Sequence, residues 1–126
     1  MINSFGTMNS LYQQQRQSFI NERYKDIYAH EQAHKTIAGS YGGPIVIERD
    51  STGIPVGGHV DIKMPVLDKN NPDKTIKHAD TVIKSAMAPS DPSSQDYKVA
   101  AEAKQIKAQA MTEKNKQPGS KLNLIA

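Results

Sequence analysis

The most chemically suggestive stretch of this 126-residue sequence is His30-Glu31-Gln32-Ala33-His34, which has the pattern H-E-x-x-H. On a helix, residues four apart share a face, so His30 and His34 would direct both imidazoles at one point. Two neutral imidazoles at this spacing supply half of a tetrahedral zinc site. The carboxylate of Glu31 could then act as general base on water during peptide hydrolysis. The motif predicts this chemistry if it lies on a helix and a third ligand is available.

The motif lies in a stretch with helical periodicity. Apolar residues recur at intervals of three and four over residues 20–38, and Gly39 is suited to end a helix. The motif therefore falls in the last two turns of a predicted helix, with its histidines directed partly inward. The alternative is a solvent-exposed helix face on which the two histidines have no role. Residues 1–19 are rich in Asn, Ser and Gln and are predicted to be poorly structured, with a docked helix as the alternative.

A β-hairpin is predicted after this helix. Residues 45–49 begin with a β-branched run, and a second extended segment covers residues 54–64. Residues 50–53, which read Asp-Ser-Thr-Gly, are typical of a turn. The pair Gly57-Gly58 in the second strand indicates a bulge or a close approach of the backbone to another element.

The hairpin supplies the candidates for a third metal ligand. His59 follows the glycine pair, and strand alternation places it on the same face as Asp61. We predict His59 as the third ligand and Asp61 as the partner that fixes the imidazole tautomer. The alternative for His59 is a surface strand residue. Glu48, Asp61 and His78 remain rival third ligands.

Two helices are predicted in the C-terminal half. Asn71 would cap the first, with Pro72 at its first position. Asp91 would cap the second, which would run to about residue 116 and leave a tail at residues 117–126. The predicted fold class is α+β, with the order α-β-β-α-α in one small domain at residues 20–116, the minimal core of a zincin-like protein.

The composition limits the ligands and partners. The chain has no cysteine, so His, Asp and Glu are the side chains expected to bind a metal. The net charge of +3 is mild and no nucleic-acid motif occurs, so we expect no nucleic-acid partner. No apolar run approaches the roughly 18 residues of a membrane helix, and the N-terminus has no secretory signal. We therefore expect no membrane partner and a cytoplasmic location, while the oligomeric state is not indicated.

Four separated segments resemble, in the same order, the bacterial SprA-related family of H-E-x-x-H zinc metallopeptidases, over about residues 22–103. The segments are Ala29-His30-Glu31-Gln32-Ala33-His34, Gly42-Gly43-Pro44, Val56-Gly57-Gly58 and Ala86-Met87-Ala88-Pro89-Ser90-Asp91-Pro92-Ser93-Ser94-Gln95-Asp96. The resemblance implies a zinc-dependent peptidase-like domain with His30 and His34 as ligands and Glu31 as base. Members usually carry Glu after the Gly-Gly pair, where this chain has His59. Because Glu and His both bind zinc, the resemblance implies ligation at this position.

Zinc-dependent hydrolysis of a peptide or protein substrate is therefore the expected function. Zinc would be held by His30, His34 and His59, leaving one tetrahedral position open, and Glu31 would activate the attacking water. Tyr41, in the loop after the motif helix, is predicted to donate to the oxyanion, with loop packing as its alternative.

Two other functions stay open on the sequence. The chain could be a metal-stabilised binding or structural module, closed by a fourth protein ligand such as Asp61 or Glu48. It could also be a latent peptidase whose own tail, residues 122–126, occupies the cleft. In an active enzyme, the strand edge at residues 45–47 would be suited to pair with an extended substrate.

Overall fold

The computed structural model describes residues 4–117, with side chains described from Met8 onward. The fold class is α+β, and the predicted order α-β-β-α-α is confirmed. The elements are helix α1 (Ser4–Ala38), strands β1 (Gly42–Arg49) and β2 (Pro55–Ile62), and helices α2 (Pro72–Ala86) and α3 (Ser94–Asn115). A short 3₁₀ turn, Gly39–Tyr41, links α1 to β1.

Helix α1 begins at Ser4, well before the predicted start near residue 20. The described part of residues 1–19 is therefore helical, which is the alternative that the sequence left open; residues 1–3 lie outside the described range. Gln, Met and Arg have favourable helix propensity, and the guanidinium of Arg16 donates to the Thr52 carbonyl at 2.7 Å. The end of the helix is as predicted, because Gly39 directly follows Ala38 with φ +57°.

The first of two compact units contains α1 as far as Gln32, together with Ile45–His59. Arg23 Nε donates to the carbonyl of Pro55 at 3.2 Å. The guanidinium of Arg49 lies over the Tyr24 ring, 5.7 Å from its centroid. Gly58 also lies close to α1, because an added Cβ would meet Ile27 Cγ2 at 2.7 Å. The glycine at this position therefore permits the close approach that the sequence indicated.

Strands β1 and β2 form a two-stranded antiparallel sheet. The turn between them is held by Asp50, whose Oδ1 accepts from Thr52 N at 2.8 Å, Thr52 Oγ1 at 2.6 Å and Ile54 N at 3.0 Å. Along β2, His59 and Asp61 are exposed while Val60 and Ile62 are partly buried. The predicted alternation of strand faces is confirmed.

The second unit contains Ala33–Pro44 and the chain from Val60 onward. Helices α2 and α3 pack through small side chains, and the buried apolar residues of the two helices are Ala79, Val82, Ala86, Ala100, Ala103 and Ala110. Small residues allow the two helices to approach closely, which suits a chain with few aromatic residues.

Both C-terminal helices begin with side-chain caps. Asn71 caps α2 with Pro72 in the first turn, as predicted. The predicted cap of α3 is wrong, because Ser93 rather than Asp91 is the N-cap and forms a capping box with Asp96. Reciprocal hydrogen bonds between Ser93 and Asp96 satisfy two backbone donors, which a lone Asp91 cap would not do. Residues 118–126, with most of the predicted tail, lie outside the described range. No described helix is long and apolar enough to cross a membrane.

Candidate metal centre

The H-E-x-x-H motif lies on α1, and its three functional side chains gather near one point. One ligand atom each from His30, Glu31 and His34 lie within 4.8 Å of one another. Glu31 is 6% exposed and His34 4% exposed, while His30 is partly buried. The helix thus brings together two imidazoles and a carboxylate at the edge of solvent, and this cluster could hold a metal ion.

The imidazole of His34 is held in place by Ser85 on α2. His34 Nδ1 donates to the Ser85 carbonyl at 2.7 Å, and Ser85 Oγ donates back to the His34 carbonyl at 2.6 Å. A carbonyl oxygen only accepts hydrogen bonds, so Nδ1 must carry the proton. Nε2 is therefore the ring nitrogen that could coordinate a metal, which is the usual arrangement of a metal-binding histidine.

The second ring nitrogen of His34 pairs with a carboxylate. His34 Nε2 lies 3.1 Å from Asp96 Oδ1, and the Asp96 side chain is 14% exposed. The other carboxylate oxygen, Oδ2, accepts from Ser93 N at 2.8 Å in the capping box. Asp96 therefore has one oxygen engaged by its own helix and one directed at His34.

Asp96 is the residue that the sequence interpretation missed. It lies within the fourth of the segments that resemble the SprA-related family, so the signal was present. The spacing Ser93-x-x-Asp96 is also that of a capping box, which gives the aspartate a local structural role without any metal.

His59, the predicted third ligand, lies outside the three-residue cluster that the described residues form. Its Nδ1 is 2.8 Å from Glu48 Oε1, and the two side chains are 46% and 53% exposed. Two of the candidate ligands therefore pair with each other, and Asp61 lies on the same exposed face of β2. Gly58 is on the opposite strand face, where an added Cβ would lie 3.1 Å from Glu31 Cγ. The ligand role of His59 stays a prediction.

Tyr41 and His78 stack on each other in the second unit. Their ring centroids are 3.8 Å apart with an interplanar angle of 13°, and His78 Nε2 donates to the Lys63 carbonyl at 2.7 Å. Both rings line a cleft of about 550 Å³ that also includes Asp68 and Lys74. This packing is the alternative that the sequence left open for Tyr41, and its role as an oxyanion donor stays a prediction.

The donor atoms of this cluster fit zinc. Imidazole nitrogens and carboxylate oxygens are its usual ligands besides thiolates, which this chain cannot supply.

Comparison with known proteins finds a matching family model but no matching individual protein. The model of the SprA-related family matches residues 8–118. No curated protein and no solved structure matches the chain significantly.

Proposed function

The chain belongs to the SprA-related family, and from this premise we propose that it is a zinc-dependent peptidase. The observation that carries the proposal is the cluster of His30, Glu31 and His34 on α1, with two of the three side chains buried. A divalent cation bound to this cluster would give the buried carboxylate of Glu31 a counter-charge.

His30 and His34 are the proposed metal ligands. The Ser85 carbonyl fixes the ring of His34, so the nitrogen that binds the metal is set before the metal arrives. When bound, zinc polarises the scissile carbonyl and makes water a better nucleophile at neutral pH. His59 is retained as the third ligand predicted from the sequence.

Glu31 is the proposed general base. It takes a proton from the attacking water and passes it to the leaving amine, which completes peptide cleavage without a free strong base. Its carboxylate oxygen lies 4.0 Å from His30 Nε2, so it is beside the ligands. Its side chain is also held by the close approach of Gly58, which restricts the positions that the carboxylate can take.

The proposed substrate is an extended peptide. The described sheet has only two strands, so β1 has an outer edge without a strand partner. Backbone groups on such an edge can pair with an extended chain by strand addition. This edge would hold a peptide by its backbone, which suits a peptidase with broad sequence tolerance.

A second candidate function is a metal-stabilised module without catalysis. The observation in its favour is that a Glu31 oxygen belongs to the same cluster as the two imidazoles, where it could bind the metal itself. In that arrangement Glu31 would be a ligand rather than a base, and a closed site would not bind water.

One substitution separates the two functions. The full chain and its Glu31→Gln variant are loaded with zinc, and both zinc content and hydrolysis of casein and of a fluorogenic peptide mixture are measured. The peptidase proposal expects one zinc per chain in both proteins and no hydrolysis by the variant. Glu22→Gln, an exposed position on the same helix, is the matched control and should retain activity. Loss of zinc from Glu31→Gln favours the module, and full activity of that variant refutes the role of Glu31.

A latent enzyme would show no hydrolysis in either protein. The chain ending at Gln117 is therefore assayed in parallel, because the tail at residues 122–126 is the predicted blocking segment. Activity that appears only after truncation supports latency, and equal activity of both chains dismisses it.

A further inference from the structure

The cleft in the second unit has an excess of positive charge. It is lined by three lysines, Lys63, Lys69 and Lys74 (the cleft lysines), and by a single carboxylate, that of Asp68. With His78 neutral, the lining side chains carry two more positive charges than negative ones. The cleft volume of about 550 Å³ is within the range of small-molecule sites. Charges of one sign around a concave surface raise the local concentration of ions of the opposite sign.

The carboxylates near the cleft are engaged by other groups. Asp73, in the first turn of α2, pairs with Lys114 of α3 at 2.9 Å. Asp68 Oδ1 accepts the backbone N–H groups of Asn70 and Asn71, each at 3.0 Å. Within residues 8–117, the ammonium groups of the cleft lysines form neither an ion pair nor a hydrogen bond. These three cations are therefore available to an anion that enters the cleft.

Hydrogen bonds hold the walls of the cleft in place. The backbone of Lys63 is fixed on both sides, because its N–H donates to the Tyr41 carbonyl at 2.8 Å and its carbonyl accepts from His78 Nε2 at 2.7 Å. The hydroxyl of Thr75, a residue that is 2% exposed, accepts the N–H of Asp68 at 2.9 Å. Since the protein's own bonds order these walls, binding has little conformational freedom left to remove from them.

The remaining side chains of the cleft suit an apolar group. Tyr41 and His78 stack with their ring centroids 3.8 Å apart, and Met64, Val66 and Leu67 add apolar surface. The Tyr41 hydroxyl has no hydrogen-bond partner within residues 8–117, so it can donate to a ligand. Apolar and aromatic walls with a few polar groups are typical of sites for organic molecules.

We propose that this cleft binds a small molecule that carries a phosphate monoester on an apolar or aromatic group. A phosphate monoester has a charge of about −1.5 to −2 at pH 7, which matches the excess charge of the cleft better than the single charge of a carboxylate. Its oxygens are strong acceptors for several ammonium groups at once. All lining residues belong to the second unit, so the proposal is independent of the peptidase function and of the metal.

The first test is an NMR titration of the full ¹⁵N-labelled chain with phenyl phosphate at pH 7, without zinc. The backbone amide signals of residues 63–78 should shift and saturate, and added KCl should weaken the binding. Benzoate has the same ring with one charge, and inorganic phosphate has the charge without the ring, so each should bind about tenfold more weakly. The proposal is overturned if these signals do not shift, or if either comparison compound binds as tightly as phenyl phosphate.

The second test removes single charges. Lys63→Gln and Lys74→Gln each replace an exposed cleft lysine, so the affinity for phenyl phosphate should fall by about tenfold, because hydrogen bonds to charged groups are among the stronger ones. Lys84→Gln, also exposed on α2 but outside the cleft, is the matched control and should bind as the wild type does. The spectrum of each variant reports its fold. Equal affinities of Lys74→Gln and Lys84→Gln would mean that binding follows net charge alone, and would overturn the proposal.

Discussion

Replacing Gly58 with alanine should destabilise the protein, because the backbone of β2 runs very close to α1 at this residue. An added Cβ would lie 2.7 Å from Ile27 Cγ2, 3.0 Å from the Val46 carbonyl oxygen and 3.1 Å from Glu31 Cγ. Non-bonded carbon atoms are normally about 3.5–4.0 Å apart, so the new methyl group would overlap Ile27 by about 1 Å. The Val46 oxygen belongs to the backbone and cannot rotate away, so the helix or the strand must move.

The expected size of the effect follows from two opposing contributions. Forcing a methyl group into filled space costs about 1–3 kcal/mol. Alanine also restricts the unfolded chain relative to glycine, which stabilises the folded state by about 0.4–1 kcal/mol. The net loss in the free energy of unfolding is therefore about 1–2 kcal/mol. With a urea dependence of about 1–3 kcal/mol per molar, the unfolding midpoint should fall by roughly 0.5–1 M.

The neighbouring glycine is the control. A Cβ on Gly57 would have Glu48 Oε2 as its nearest contact, at 3.6 Å, which is an ordinary distance to the end of a flexible side chain. Gly57→Ala should therefore unfold at the wild-type urea concentration or slightly above it. Unfolding in urea is measured by circular dichroism. Equal unfolding midpoints for Gly57→Ala and Gly58→Ala would refute the close approach of β2 to α1.

Two further substitutions test the hydrogen bond between Ser85 and His34 and the turn of the hairpin. Ser85→Ala removes the buried hydroxyl that donates to the His34 carbonyl at 2.6 Å and keeps the carbonyl that accepts from the ring. The free energy of unfolding should therefore fall by about 1 kcal/mol, and an unchanged midpoint in urea titration would contradict the buried hydrogen bond. Asp50 accepts hydrogen bonds from the Thr52 side chain first and then from the Ile54 and Thr52 backbone, and these lower the pKa of its carboxyl below 3.8. Because the pKa of Asp50 is lower in the folded state, the ionised carboxylate stabilises the protein above pH 3.8, and this stabilisation is lost as the pH falls through the folded-state pKa. The difference in free energy of unfolding between wild type and Asp50→Asn should therefore be constant near neutral pH and decrease at acidic pH. The measurement is urea unfolding of both proteins from pH 7 to about pH 2.5. A stability difference that increases as the pH falls would contradict the direction of the Asp50 pKa shift.

The elements that sequence reasoning located are those specified by neighbours along the chain. Gly39 ends α1 because of its positive φ, and Asn71 with Pro72 begins α2 because cap and first-turn preferences are local. The start of α1 lies earlier than predicted, because a polar segment can be helical when contacts with distant residues stabilise it. Arg16 contacts Thr52, which is 36 residues away, and a contact of this separation cannot be read from the composition of either segment.

The candidate site was also predictable only where it depends on local spacing. The motif on α1 was predictable because helical spacing alone brings His30 and His34 together. Strand alternation correctly grouped His59 with Asp61, but it does not say which face of a strand meets the helix. In the structure Gly58 is the residue that meets Glu31, so His59, one residue later, is directed to the other face. A one-residue difference in register therefore decides which residue of β2 lies against Glu31.

The contact between His34 and Ser85 affects how the metal centre would form. His34 Nδ1 donates to the Ser85 carbonyl at 2.7 Å, so the ring is oriented by a residue of α2 rather than by a loop. Because folding already restricts this ring, metal binding does not have to meet the entropic cost of orienting it. The acceptor is a backbone carbonyl, so side-chain substitutions at position 85 should leave the orientation of the ring unchanged.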